Sequence, residues 1–216
     1  MKGDLVRYTG INPAKVTVTL EAADAISEPA KVCPELNGKR FILYVGRPTP
    51  HKNLERLIKA YALLKANHPD LSLTLVGKSD KNYQRIATSV EKQGVRDVHF
   101  TGFADDAQLR WLYENCAAYV FPSLSEGFGL PGLEAMMHGA PVVSSNATCL
   151  PEVYGPAAHY FDPLDIQNMA DVIDEVLTDK KLRAELIKRG HEQVKKYSWR
   201  RMAEQTMAVY QKVLGV

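Results

Sequence analysis

Glu126 and Glu134 stand eight residues apart, with Gly127, Gly129, Pro131 and Gly132 between them and an apolar helical pattern after them. A glycine-rich loop that runs into a helix N-terminus presents backbone N–H groups and the positive end of the helix dipole to a phosphate. A carboxylate on each side of that seat can accept hydrogen bonds from sugar hydroxyls. A second cluster, Gly46-Arg47-Pro48-Thr49-Pro50-His51-Lys52-Asn53, places two cations five residues apart. Arg47 offers a planar fork suited to phosphate oxygens, and Lys52 a mobile point charge. Pro48 and Pro50 stiffen the loop between them. A third stretch, Asn146-Ala147-Thr148-Cys149-Leu150-Pro151-Glu152, is rich in small and hydroxylated residues. Glu152 reads equally as a ligand contact and as a first-turn acid that favours a short helix. Thr148 and Cys149 read equally as site residues and as a turn.

Other chemistries find less support. Gly127-x-Gly129-x-x-Gly132 matches the dinucleotide fingerprint formally, but that fingerprint needs a strand directly before it and an acid at the end of the next strand. Here a longer loop, Pro122 to Glu126, intervenes, and the next strand ends in Ser144-Ser145-Asn146. The histidines show no H-x-x-x-H spacing, no Asp-x-Asp occurs, and the three cysteines form no C-x-x-C. No metal site is expected, and charge on a diphosphate falls to Arg47, Lys52 and the helix N-terminus. Cys33, Cys116 and Cys149 are odd in number and widely spaced, which indicates a reducing, cytoplasmic setting rather than a disulfide framework. Twenty-seven basic against 25 acidic residues give a net charge of +2, too balanced for a nucleic-acid binder. No apolar run approaches the ~18 residues of a membrane span.

Strands must deliver these loops to one edge. Short, continuously apolar runs at Arg40–Val45, Ser72–Val76, Val98–Phe100, Ala118–Phe121, Pro141–Ser144 and His159–Phe161 alternate with helical patterns. Leu54, Leu57, Ile58, Tyr61 and Leu64 make one helical stripe, and residues 81–93, 106–116 and Leu130–His138 read as further helices. Apolar character on both faces is expected of a covered parallel sheet. The alternation predicts an α/β, doubly wound, Rossmann-like parallel sheet whose ligand meets the carboxyl ends of the strands. Three helices follow the last strand, at Ile166–Leu177, Lys180–Tyr197 and Trp199–Leu214, the last with Trp199, Met202, Val209, Tyr210 and Val213 along one face. Residues 1–38 read as a connector with a leading strand at Val16–Leu20, residues 39–197 as the main domain, and 198–216 as a terminal crossover helix.

Together the motifs resemble the C-terminal half of the GT-B glycosyltransferases, most closely the family 4 retaining enzymes, over roughly residues 39–214. The residues that carry the resemblance are Gly46-Arg47 with Lys52, Leu75-Val76-Gly77, Phe100-Thr101-Gly102, Pro122-Ser123 through Glu126-Gly127-Phe128-Gly129, Glu134-Ala135 and Leu150-Pro151-Glu152. Leu150-Pro151-Glu152-Val153 with Phe161-Asp162-Pro163 is similar to bacterial mannosyltransferases of polysaccharide assembly. The resemblance implies that Arg47 and Lys52 bind the donor diphosphate and that Glu126 meets the donor sugar near its reacting end. It implies that the amides of Phe128, Gly129 and Leu130 hold sugar hydroxyls and phosphate, and that Glu134 binds the ribose. The turns at Gly77 and Phe103 would flank the base, and Gly46 and Gly127 would count among the donor-binding residues.

The implied donor is a nucleoside diphosphate sugar, GDP-mannose by similarity, with no cofactor, and the acceptor a glycan or lipid-linked saccharide. A complete GT-B enzyme also has an N-terminal acceptor domain, which supplies a histidine to the donor sugar. The expectation is therefore of a donor-binding half that binds nucleotide but turns over little alone, with peripheral contact at the inner membrane face made through the absent half. Two alternatives stay open: a sugar-nucleotide epimerase of the same fold, and a nucleotide-binding module without turnover.

Overall fold

The computed structural model describes residues 2–215. After helix α1 (Lys2–Thr9) and an irregular segment, strands and helices alternate as β1 (Arg40–Val45), α2 (Leu54–Leu64), β2 (Leu71–Val76), α3 (Lys81–Gln93), β3 (Val98–Gly102), α4 (Asp106–Asn115) and β4 (Ala118–Phe121). They continue as α5 (Leu130–Met137), β5 (Val142–Ser145), α6 (Leu150–Tyr154), β6 (Ala158–Phe161), α7 (Ile166–Thr178), α8 (Lys180–Val194) and α9 (Trp199–Leu214). The six strands form one sheet in the order β3-β2-β1-β4-β5-β6, and each pairing is parallel. The doubly wound expectation holds. The winding reverses between β1 and β4, and in open α/β sheets the crevice outside that junction is where ligands bind.

Sequence explains the layers. Phe41 to Tyr44 in β1 and every residue of β2 and β4 are buried, so helices cover both faces. The α2 stripe of Leu54, Leu57, Ile58, Tyr61 and Leu64 is buried in full. Helix α2 packs on α7, and α5 on α8. Helix α9 buries no residue, and Met207, Tyr210 and Val213 on it are more than half exposed.

The leading strand expected at Val16–Leu20 does not form. That stretch joins no ladder, and Val18 and Leu20 are 48% and 40% exposed. Its alternation of Val, Thr and Leu has strand period, but a strand also needs a partner edge, and its backbone pairs with neither β3 nor β6. Helix α1 was not anticipated. Its eight residues bury no side chain, so no apolar stripe announces it.

Past that point the chain is strapped to the body. Ala22, Ala23, Cys33 and Leu36 are buried, and the Lys31 N–H donates to Ala107 O at 2.9 Å. Arg110 on α4 donates to the carbonyls of Ile26 (3.3 Å) and Glu28 (3.0 Å). The Ile26 N–H donates to His138 Nε2 at 3.0 Å. That bond requires neutral imidazole with its proton on Nδ1, which faces Glu114 Oε1 at 3.8 Å. Burial holds the His138 pKa below its ordinary value; Arg110 adds to the effect and Glu114 opposes it. The unfolded chain then takes up the proton more readily, so the stability this tie contributes is lost as pH falls below about 6.5. The protection factor of the Ile26 amide in hydrogen exchange should fall between about pH 7 and 5.5. Protection that stays constant over that interval would remove His138 as the tie.

Candidate active site

Backbone contacts lace the tips of β1, β2 and β3 together. The Gly46 N–H donates to Val76 O at 2.9 Å and the Gly77 N–H to Gly102 O at 3.0 Å. A Cβ on Gly77 would land on the Gly46 carbonyl, so only glycine allows the two turns to touch. Gly46 has φ +152°, and a Cβ there would meet the Tyr44 hydroxyl at 2.7 Å. Tyr83 on α3 completes the lacing, because its hydroxyl donates to Leu75 O (2.8 Å) and accepts the Gly102 N–H (3.0 Å).

The loops after β1 and β4 meet across the junction. The Lys52 ammonium, in a single 3₁₀ turn at Pro50–Lys52, lies 2.6 Å from Glu126 Oε1, and the two side chains are only 17% and 11% exposed. It also sits 5.3 Å from the Phe121 ring centroid, within cation–π range. The Leu124 N–H donates to His51 O at 2.7 Å, which ties the same loops through backbone. Glu126 is aimed by the loop after β5. Its N–H donates to Thr148 Oγ1 (3.1 Å) and its carbonyl accepts from Cys149 Sγ (3.3 Å). Thr148 and Cys149, left open between site and turn, thus support Glu126 from behind.

Asn53 was not singled out from sequence. It is buried at φ +60°, and its Nδ2 donates to Pro122 O (3.0 Å) and Pro163 O (2.8 Å). Arg56 donates to its Oδ1 at 3.0 Å. One amide thereby fixes the exits of β1, β4 and β6 to each other. The signal was its place directly after Lys52 at the start of an apolar helix, where a buried Asn needs several partners.

The glycine loop is backed by Tyr154, whose hydroxyl donates to Gly129 O at 2.5 Å. Gly129 has φ +95° at the start of α5, and a Cβ there or on Gly132 would collide with the Tyr154 phenol. Phe128 meets the Tyr197 ring edge-on at 5.4 Å. The loop therefore rests on a formed aromatic bed, with the first amides of α5 unused by side-chain caps. Glu134 lies one turn into α5, with Oε2 accepting from Tyr113 at 3.1 Å. Burial raises its pKa above the usual carboxyl range, the Tyr113 hydrogen bond counters that, and Asp106 adds to the rise.

The remaining expected residues fall at the same edge. Arg47 follows Gly46; it is exposed, and its guanidinium makes no ion pair among the described residues. Phe103, directly after β3, is 81% exposed. Gly127 and Leu130 lie in and just past the loop, on either side of Phe128 and Gly129. Lys52 and Glu126 are thus in contact, while Arg47 is exposed and pairs with no acid among the described residues. No group of three or more His, Cys, Asp or Glu among the described residues is placed to hold a metal ion. No described helix is long and apolar enough to cross a membrane.

Comparison with known proteins identifies the family and the fold. The family described as "Glycosyl transferases group 1" matches residues 29–193. Serotype-specific mannosyltransferase WbdA of Escherichia coli is 39% identical over 178 residues, which is 81% of this chain and 22% of that protein. O-antigen chain mannosyltransferase B of Escherichia coli is 35% identical over 193 residues, 84% of this chain and 50% of that protein. The chain therefore spans about a fifth to a half of these relatives. Among solved structures, a sucrose-phosphate synthase from Thermosynechococcus elongatus superposes with a TM-score of 0.82 at 27% identity, covering 99% of this chain and 56% of that one. A glycosyltransferase from Rickettsia africae shares the fold with a TM-score of 0.85 at 19% identity, over 99% of this chain and 61% of that one. The chain belongs to the group 1 glycosyl transferases, of family 4 type and with one doubly wound half of the GT-B fold.

Proposed function

We propose that this chain is the donor-binding half of a retaining glycosyltransferase, and that its donor is a nucleoside diphosphate sugar. One observation carries the reading: a sheltered Lys52–Glu126 pair at 2.6 Å spans the β1–β4 junction, beside the N-terminus of α5, which no side chain caps. Departure of a nucleoside diphosphate from an anomeric carbon builds negative charge on phosphate. Lys52 and the Phe128, Gly129 and Leu130 amides stabilise that charge in the transition state, and exposed Arg47 adds its charge from the rim. Glu126 meets the sugar hydroxyls near the reacting carbon, and Glu134 meets the ribose. Gly77 and Phe103 flank the base. Diphosphate charge is neutralised by these groups without a metal, in keeping with a sequence that lacks Asp-x-Asp.

Mannose, carried by GDP, is the favoured sugar, because two relatives bear the name mannosyltransferase. A glycan or lipid-linked saccharide is the proposed acceptor. The residues described here are assigned to the donor, so this chain alone should bind nucleotide and turn over little. Three free thiols fit a reducing, cytoplasmic setting, with any membrane contact peripheral. A thermal-shift panel of GDP, UDP, ADP and their sugars tests the proposal. A ligand at 100 times its dissociation constant stabilises the folded state by about 2.7 kcal/mol, enough to raise the melting point by several degrees. A flat panel across all of them would dismiss the nucleotide reading.

A further inference from the structure

Behind the glycine loop, Tyr113 on α4 reaches α5 and donates its hydroxyl to Glu134 Oε2 at 3.1 Å. Tyr113 is fully buried, and burial raises its own pKa so far that it remains a donor at any working pH. Its ring is fixed on two sides. His138 stacks flat on it (centroids 6.0 Å, planes 2° apart), and Tyr119 meets it edge-on at 5.7 Å. His138 is itself anchored by the Ile26 N–H. The phenol thus has one place to point, and a carboxylate oxygen occupies it.

We infer that Tyr113 is a positioning residue: by taking Oε2 of Glu134 it fixes the orientation of that carboxylate and presents Oε1 alone to the vicinal hydroxyls of a ribose. The inference rests on the proposed contact between Glu134 and ribose, and it names how the half-buried acid is kept ready. A half-buried carboxyl tends toward its neutral form, which offers a poorer acceptor to a diol. Tyr113 opposes that tendency with a hydrogen bond to the charged form. The other titratable groups around Glu134 are Asp106 on α4, which pushes it toward neutrality, and Tyr119 on β4, which is fully buried. His138 lies at the end of the same helix, and His191 on α8 lies by Gly139 beyond it.

Tyr113→Phe removes only the hydroxyl and keeps the ring between His138 and Tyr119. Carbon-13 NMR of labelled glutamate, with the Glu134 signal assigned by its loss in Glu134→Gln, should show its titration midpoint moving up by about one pH unit in Tyr113→Phe. No nucleotide is needed for that measurement. In parallel, calorimetry at neutral pH with GDP and 2′,3′-dideoxy-GDP should show the ribose preference falling about fivefold once the carboxylate is no longer held in one orientation. A Glu134 midpoint that stays in place overturns the inference. So does a moved midpoint with an unaltered ribose preference. If the unsubstituted protein binds both nucleotides equally, the ribose contact beneath the inference fails, while the ligand-free NMR midpoint still reports on the Tyr113–Glu134 bond by itself.

Discussion

Replacing Lys52 by alanine is expected to weaken binding of a bare nucleoside diphosphate by one to two orders of magnitude, ~1.5–3 kcal/mol. The ammonium is sheltered, so its attraction for a diphosphate is weakly screened by solvent and salt. Truncation also strands Glu126, whose side chain is only 11% exposed, beside the same phosphate seat. A partly buried carboxylate without its cation repels the ligand, so the loss compounds. Lys52→Met keeps an apolar stem of similar length and removes the charge, so it distinguishes both charge effects from the loss of side-chain volume. Titration calorimetry at two salt concentrations reads the effect. Unchanged affinity in both variants would take Lys52 out of the site.

Glu126→Gln should act in opposite directions on two ligands. With the carboxylate neutral, Lys52 is released from its 2.6 Å partner and the repulsion on the diphosphate disappears. Bare nucleoside diphosphate should then bind several-fold tighter, on the scale of ~1 kcal/mol for a pair at such a sheltered site. The sugar nucleotide should gain less or lose, since the amide gives up the strong acceptor for sugar hydroxyls. The ratio of the two affinities should therefore fall by about an order of magnitude. Equal losses for both ligands would contradict the assignment of Glu126 to the sugar. A double-mutant cycle with Lys52→Met measures the coupling directly.

Much of the scaffold was legible because its strands leave little choice. RFILYV at 40–45 and AYVF at 118–121 are apolar on both faces, which suits only a covered strand, and both bounds match. The terminal helix over Trp199–Leu214 also matches, set by Ser198 as a cap and Gly215 as a stop. Alternation at Val16–Leu20 misled because period alone does not supply a partner edge. Strand order was not readable either. That β4 sits beside β1, bringing Lys52 to Glu126, depends on how the crossovers are laid down, and local sequence does not encode it. Asn53, Tyr113 and Tyr154 escaped for a related reason. Each looks like ordinary core or cap material, and its role arises only from a hydroxyl or amide meeting a residue between 21 and 110 positions away in the chain.

Arg47 and Lys52 differ in how much water surrounds them, and in the proposed donor site that difference would divide their labour in time. An exposed guanidinium at the crevice rim would act on approaching anions at a distance and set how often they arrive, an influence that added salt would erase. The recessed ammonium would touch only what has already entered and govern how long it stays. Capture and residence would thus answer to separate side chains, free to be tuned one without the other.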